Sequence, residues 1–283
     1  MRSGPLQFLR ALPGAPPEPP PPSRVVRNGI IAGAVGAGAV SAISAIAYLQ
    51  ARLAVSNEPY VTTPLDGHVD GENDVLCRVV WLGDSLAAGM GAISPDLSLP
   101  RLVATGRNQD TRLHVFAVPG ATSLDVIHTQ LPALHQLRHG LGQIGQRIDA
   151  IGVTVGANDI AAFTPRHKFR ANVRRIVTAA GGAPVVLVSI PQLSDAIRLP
   201  RPLRTIASLR ALWLDLALRE VAQRDDHFYV SVRRRPHWIR RRDLRNFLAA
   251  DRFHPSGAGY AVWAEHIIDA FDAALDPSPI DIS

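Results

Sequence analysis

The sequence predicts an α/β protein. Helices cover both faces of a five-stranded parallel sheet in three layers, and one membrane-spanning helix precedes the domain. Three observations carry this expectation. Over residues 77–275, short β-rich apolar runs alternate with longer amphipathic stretches, the pattern that gives right-handed crossovers and a sheet buried on both sides. Gly29 to Leu49 holds 21 residues without a charge, the length a helix needs to cross about 30 Å of hydrocarbon. Residues with chemistry in their side chains follow directly after predicted strands, where open α/β sheets place their sites.

From the amino terminus, residues 1–28 contain the tract ALPGAPPEPPPPS, too proline-rich for helix or sheet and too polar to bury, so a disordered basic leader is expected. The apolar run 29–49 follows Arg24 and Arg27. Positive charge before the span predicts a cytoplasmic amino terminus and a single-pass signal anchor, with the following domain outside the cytoplasm. A cleaved signal peptide ending near Ala45-Ile46-Ala47 is the alternative, and it exports the same domain. Residues 50–76, with Pro59, Pro64 and an acidic stretch, read as a polar stalk, and residues 276–283 as a disordered tail.

Within the domain, Arg78–Leu82, Leu113–Val118, Ala150–Val155, Pro184–Ile190 and Phe228–Val232 read as strands. Leu124–Leu137, Pro165–Ala180 and Thr205–Gln223 read as helices, the last with Ile206, Leu209, Leu212, Trp213 and Leu216 on one face. A final helix runs from Ser256, a plausible cap, to Ala274.

The net charge of +6 is concentrated in the leader and in the arginine cluster between Arg233 and Arg245. A basic footprint for nucleic acid is therefore not expected. The cluster flanks Trp238 and Ile239 and precedes Asp251. It reads as a solvated loop, with contact to anionic headgroups as the functional alternative. Cys77 is the only cysteine, so an internal disulfide and a thiolate zinc cluster are excluded. His135 and His139 stand four apart without the glutamate of a His-Glu-x-x-His helix, so no metal is expected there.

Four segments sit where chemistry belongs: Gly83-Asp84-Ser85-Leu86, Gly120, Gly156-Ala157-Asn158-Asp159, and Asp251-Arg252-Phe253-His254-Pro255. Taken together and in this order, they resemble the SGNH (GDSL) hydrolase family, whose signature is Ser, Gly, Asn and His in four successive blocks. The resemblance covers residues 76–275 and implies a flavodoxin-like sheet and ester hydrolysis without a cofactor. It implies Ser85 as nucleophile, His254 as base and Asp251 as the carboxylate that orients it. It also implies an oxyanion hole from the N–H of Ser85 at the opening of a helix, the N–H of Gly120 and the side-chain amide of Asn158. The expected substrate is a small-molecule or lipid ester. Acyl transfer to a cell-envelope glycan or its deacetylation stays open, as does cleavage of lysophospholipids or thioesters, because all use the same acyl-enzyme, whereas retention of all five residues argues against a binding module that has only kept the fold. An α/β-hydrolase elbow is disfavoured, because Ser85 follows the first predicted strand and Asp251 stands only three residues from His254.

Overall fold

The computed structural model describes residues 64–192, 201–234, 236, 237 and 239–275. The expected leader (1–28), membrane helix (29–49), the stalk up to residue 63 and the tail (276–283) lie outside the described residues. Among the described residues, no helix is long and apolar enough to cross a membrane.

Six strands form one sheet: β1 (Gly67–Val69), β2 (Asn73–Gly83), β3 (Gln109–Val115), β4 (Ala150–Thr154), β5 (Val185–Val188) and β6 (Phe228–Val230). Their order is β1-β3-β2-β4-β5-β6. All neighbours are parallel except β1, which runs antiparallel to β3. This corrects the expected five-stranded parallel sheet to a six-stranded mixed one. The extra strand and the start of β2 come from residues assigned to the stalk. Leu65 and Val69 are buried while Asp66, His68 and Asp70 face solvent. That is the alternation of an edge strand whose outward charges discourage pairing with another chain.

The helices are α1 (Leu99–Gly106), α2 (Ser123–Asp125), α3 (Leu131–Gln143), α4 (Ala157–Ala161), α5 (Arg166–Ala179), α6 (Arg201–Arg224) and α7 (Gly257–Leu275). The helix expected over Leu124–Leu137 is interrupted by a π-helical turn at Val126–Gln130. Pro132 follows at once, and its missing N–H and bulky ring disturb an α-helical ladder.

Successive residues of β2 point to opposite faces and feed two cores. Val80 and Leu82 pack with Leu134, Phe169, Val173, Leu214 and Leu218 under α3, α5 and α6. Val79 and Trp81 pack with Leu99, Val103, Ile267 and Phe271 under α1 and α7. A Cβ on Gly152 would lie 2.7 Å from the buried Trp81 ring, so this strand position holds the space the indole fills. The apolar face predicted on the helix over 205–223 is not the one that meets the core. Ala207, Ala211, Leu214, Ala217 and Leu218 are buried, while Ile206, Leu209, Leu212, Trp213 and Leu216 are exposed.

Candidate active site

The end of β2 is shaped by a close approach of two backbones. Gly83 has φ +137°, and a Cβ there would lie 1.9 Å from the Thr154 carbonyl oxygen, so only glycine fits. Asp84 N–H donates to that oxygen at 3.0 Å, and Ala87 N–H to Thr154 Oγ1 at 3.1 Å. On the other side Gln130, buried in the π-helical turn, accepts from Gly83 N–H and donates to Gly83 O, both at 2.8 Å. Ser85 thus follows a strand end whose backbone is held on two sides.

Beyond Ser85 the structure departs from the expected helix. Turns run from Ser85 to Gly91, with Ala88 N–H donating to Asp84 O at 3.0 Å and Met90 N–H to Ser85 O at 2.9 Å. Gly89 and Gly91 have positive φ, and a Cβ on Gly91 would meet Pro255 O at 2.3 Å. The chain therefore turns under the segment that carries His254 instead of continuing a helical ladder.

Asp251, Ser85 and His254 are all buried and lie in one row. His254 Nε2 is 3.0 Å from Ser85 Oγ, and His254 Nδ1 is 2.5 Å from Asp251 Oδ2. The second oxygen of Asp251 accepts the backbone N–H groups of Phe253 at 2.8 Å and His254 at 3.0 Å. Burial alone would raise the Asp251 pKa. The hydrogen bond and charge of His254, with those two N–H groups, outweigh burial and hold it below the ordinary aspartate range. An ionised Asp251 fixes the proton on Nδ1 and leaves Nε2 to accept the serine hydroxyl proton. Arg252, at φ 55°, makes the bend, and Ala249 N–H donates to His254 O at 2.8 Å. Ser256 then caps α7, its Oγ accepting Gly259 N–H at 3.4 Å.

The expected oxyanion donors lie on two loops that are tied together. Asn158 Nδ2 donates to Ala121 O at 3.0 Å, and buried Asp159 accepts Ser123 N–H at 2.8 Å and Ser123 Oγ–H at 2.7 Å. Val118 N–H donates to Gly83 O at 3.0 Å, joining the Gly120 loop to the strand before Ser85. Gly120 has φ +82°, and a Cβ there would meet nothing within 4 Å. Glycine therefore relieves the backbone and leaves the approach open. Neither the Ser85 nor the Gly120 N–H donates to a protein atom among the described residues.

A cavity opens over Ser85 and His254. Its walls include Val232, Ile239, Leu244, Phe247, Val262 and Trp263, with Arg233 and Arg234 to one side. The arginine cluster is thereby split in role. Arg233 Nη1 donates to Ile190 O at 2.8 Å, and its Nε lies 3.7 Å from Asp215 Oδ2. Ile239, which only the headgroup-binding alternative would set at an interface, is buried against Leu244 and Val262, and Trp238 lies outside the described residues. Among the described residues, His68, Asp70 and Asp110 bring ligand atoms within reach of one ion, but they sit on or beside the edge strand β1 and its neighbour β3 and line no part of this cavity.

Residues 81–262 match the GDSL-like Lipase/Acylhydrolase family, and the matched span holds every residue of the row just described. The chain belongs to this family. The GDSL-like esterase Rv1075c of Mycobacterium tuberculosis is 32% identical over 208 residues, covering 70% of this chain and 62% of the relative. The chain thus spans under two thirds of that relative's length. A lipase/acylhydrolase from Enterococcus faecalis superimposes with a TM-score of 0.52 at 23% identity, covering 71% of this chain and 98% of that one. A carbohydrate acetylesterase family member from Sinorhizobium meliloti gives 0.51 at 16% identity, covering 70% and 99%. At such identities the structural likeness speaks for the GDSL fold alone. Gln130, Thr154 and Asp159 were not singled out by sequence reasoning. Gln130 is remote in sequence and has no motif, whereas Asp159 stood inside the Gly-Ala-Asn-Asp block.

Proposed function

We propose that this GDSL-family chain is a serine ester hydrolase that works through an acyl-enzyme. The observation that carries the reading is the buried row Ser85 Oγ, His254 Nε2 and Asp251 Oδ2, with its 3.0 and 2.5 Å spacings. As Ser85 attacks the ester carbonyl, its proton passes to His254, and Asp251 stabilises the imidazolium. The oxyanion is met by the N–H groups of Ser85 and Gly120 and by the second amide hydrogen of Asn158. His254 returns the proton to the departing alcohol, and water repeats the cycle to release the acid. The apolar cavity walls suit an aliphatic acyl group better than a charged one.

The chain is held at the membrane by residues 29–49 with the hydrolase domain on the extracytoplasmic side, a reading supported by the uncharged 21-residue run behind Arg24 and Arg27. A panel of p-nitrophenyl esters of rising chain length, run on the full chain and on Ser85→Ala, tests the chemistry. Wild type should release p-nitrophenol and the variant almost none. Turnover near wild type in a folded Ser85→Ala protein would sink the mechanism.

A further inference from the structure

We propose that the outward face of α6, from Ile206 to Leu216, seats the domain on the surface of an anionic phospholipid bilayer. Over these residues every exposed side chain is large and apolar: Ile206, Leu209, Leu212, Trp213 and Leu216. Leu209 is 61% exposed and Trp213 66%. A surface helix normally turns polar residues outward. Here the core side is also apolar, and polarity returns only after Leu216, at Arg219, Glu220, Gln223 and Arg224. The patch continues sideways through half-exposed Phe163, whose ring lies under the Arg210 guanidinium at 4.7 Å. A contiguous apolar patch on a folded domain marks a partner or a membrane.

Charge selects among occupants. α6 and the α5 helix packed beside it carry ten Arg and Lys residues against two acids, Asp215 and Glu220. Asp215 is buried beside Arg233, and Glu220 is held by Arg166 and Arg170. A second copy of the chain would set two such basic layers against each other. Between Ile206 and Leu216 a protein partner would meet the Trp213 indole N–H as the one hydrogen-bonding group on a side chain more than half exposed, although protein interfaces carry many. Hydrocarbon needs none, and anionic headgroups complement the arginines. Tryptophan also favours the boundary between headgroups and acyl chains. α6 connects the parallel strands β5 and β6, so it begins at the carboxyl edge of the sheet. The patch spans the sixth to sixteenth of the 24 residues of this helix, counted from the edge that carries Ser85, and seating it brings that edge nearer to lipid.

The inference stands apart from the proposed anchor, and one experiment separates them. Spin labels are placed at Leu209→Cys, Trp213→Cys and, on the opposite helical layer, exposed Glu265→Cys. Each is made in the full chain with buried Cys77 replaced by alanine. On phosphatidylglycerol vesicles, oxygen contact at 209 and 213 should rise several-fold over that of a water-soluble nickel chelate, with no change at 265. Raising salt on these vesicles should reduce the effect. Labels at 209 and 213 that stay in water on phosphatidylglycerol overturn the proposal in favour of a protein partner. Broadening between labels without lipid overturns it in favour of a second copy. Flotation with phosphatidylcholine vesicles reports the anchor alone, whatever the labels show.

Discussion

Asn158 gives one amide hydrogen to Ala121, which leaves the other for a developing oxyanion. Asn158→Ala should lower kcat by about 10²–10³, as removal of one such donor does elsewhere. An unchanged kcat would reduce Asn158 to a structural tie between two loops. Asp84 makes a separate statement about pH. Its side chain is fully buried, one oxygen accepts from Leu86 N–H and Thr154 Oγ1, and the other has no partner among the described residues. Burial raises its pKa from 3.8 to about 6, against the pull of those two donors. The folded chain therefore binds a proton more readily than the unfolded one between these values. The contribution of Asp84 is most favourable below about pH 4 and is lost as pH rises through 6, a change on the order of 3 kcal/mol. Asp84→Asn removes that dependence. Urea unfolding at pH 4 and pH 7 should show wild type losing stability relative to the variant as pH rises, and parallel curves would contradict the buried carboxyl.

At the scale of elements, the site depends on how three chain segments meet at the end of β2. Gln130 reaches it only because a π-helical turn rotates this side chain onto Gly83. Gln130→Leu should leave the Gly83 N–H buried and unpaired, costing about 1–3 kcal/mol of stability. The Gly83 carbonyl would keep Val118 N–H as a partner. Chemical denaturation reads the loss, and full stability would mean the clamp is replaceable by water. The same scale shows where local pattern misled. The stripe from Ile206 to Leu216 has the spacing of a core-facing helix, yet α6 buries the smaller residues beside it. Ala207, Ala211 and Ala217 let the helix approach the sheet closely, and only the assembled sheet decides which side that is.

For the whole molecule, the proposed anchor predicts that the full chain sediments with membranes and that its hydrolase domain is cut by protease added to intact spheroplasts. A soluble product beginning near Tyr48 would show a cleaved leader, and protection from protease would reverse the orientation. With both proposals upheld, the apolar span is the tether and the α6 surface the seat.

Order along the chain was enough to read the GDSL family, the parallel core of the sheet and the row Ser85, Asp251 and His254. These depend on short motifs at strand ends and on local period, and both are written in consecutive residues. Gly120 and Asn158 were equally legible as residues, but the bonds from Asn158 to Ala121 and from Asp159 to Ser123 that hold their loops together were not. The antiparallel β1 was hidden because the outward aspartates that flank it, Asp66 and Asp70, resemble a solvated linker until β3 is there to pair with it. Gln130 became a clamp, Arg233 a part-buried support for Ile190, and Ile239 a cavity wall only in the folded chain. Each of these roles is a contact between residues far apart in sequence, and such contacts exist only once the layers have packed.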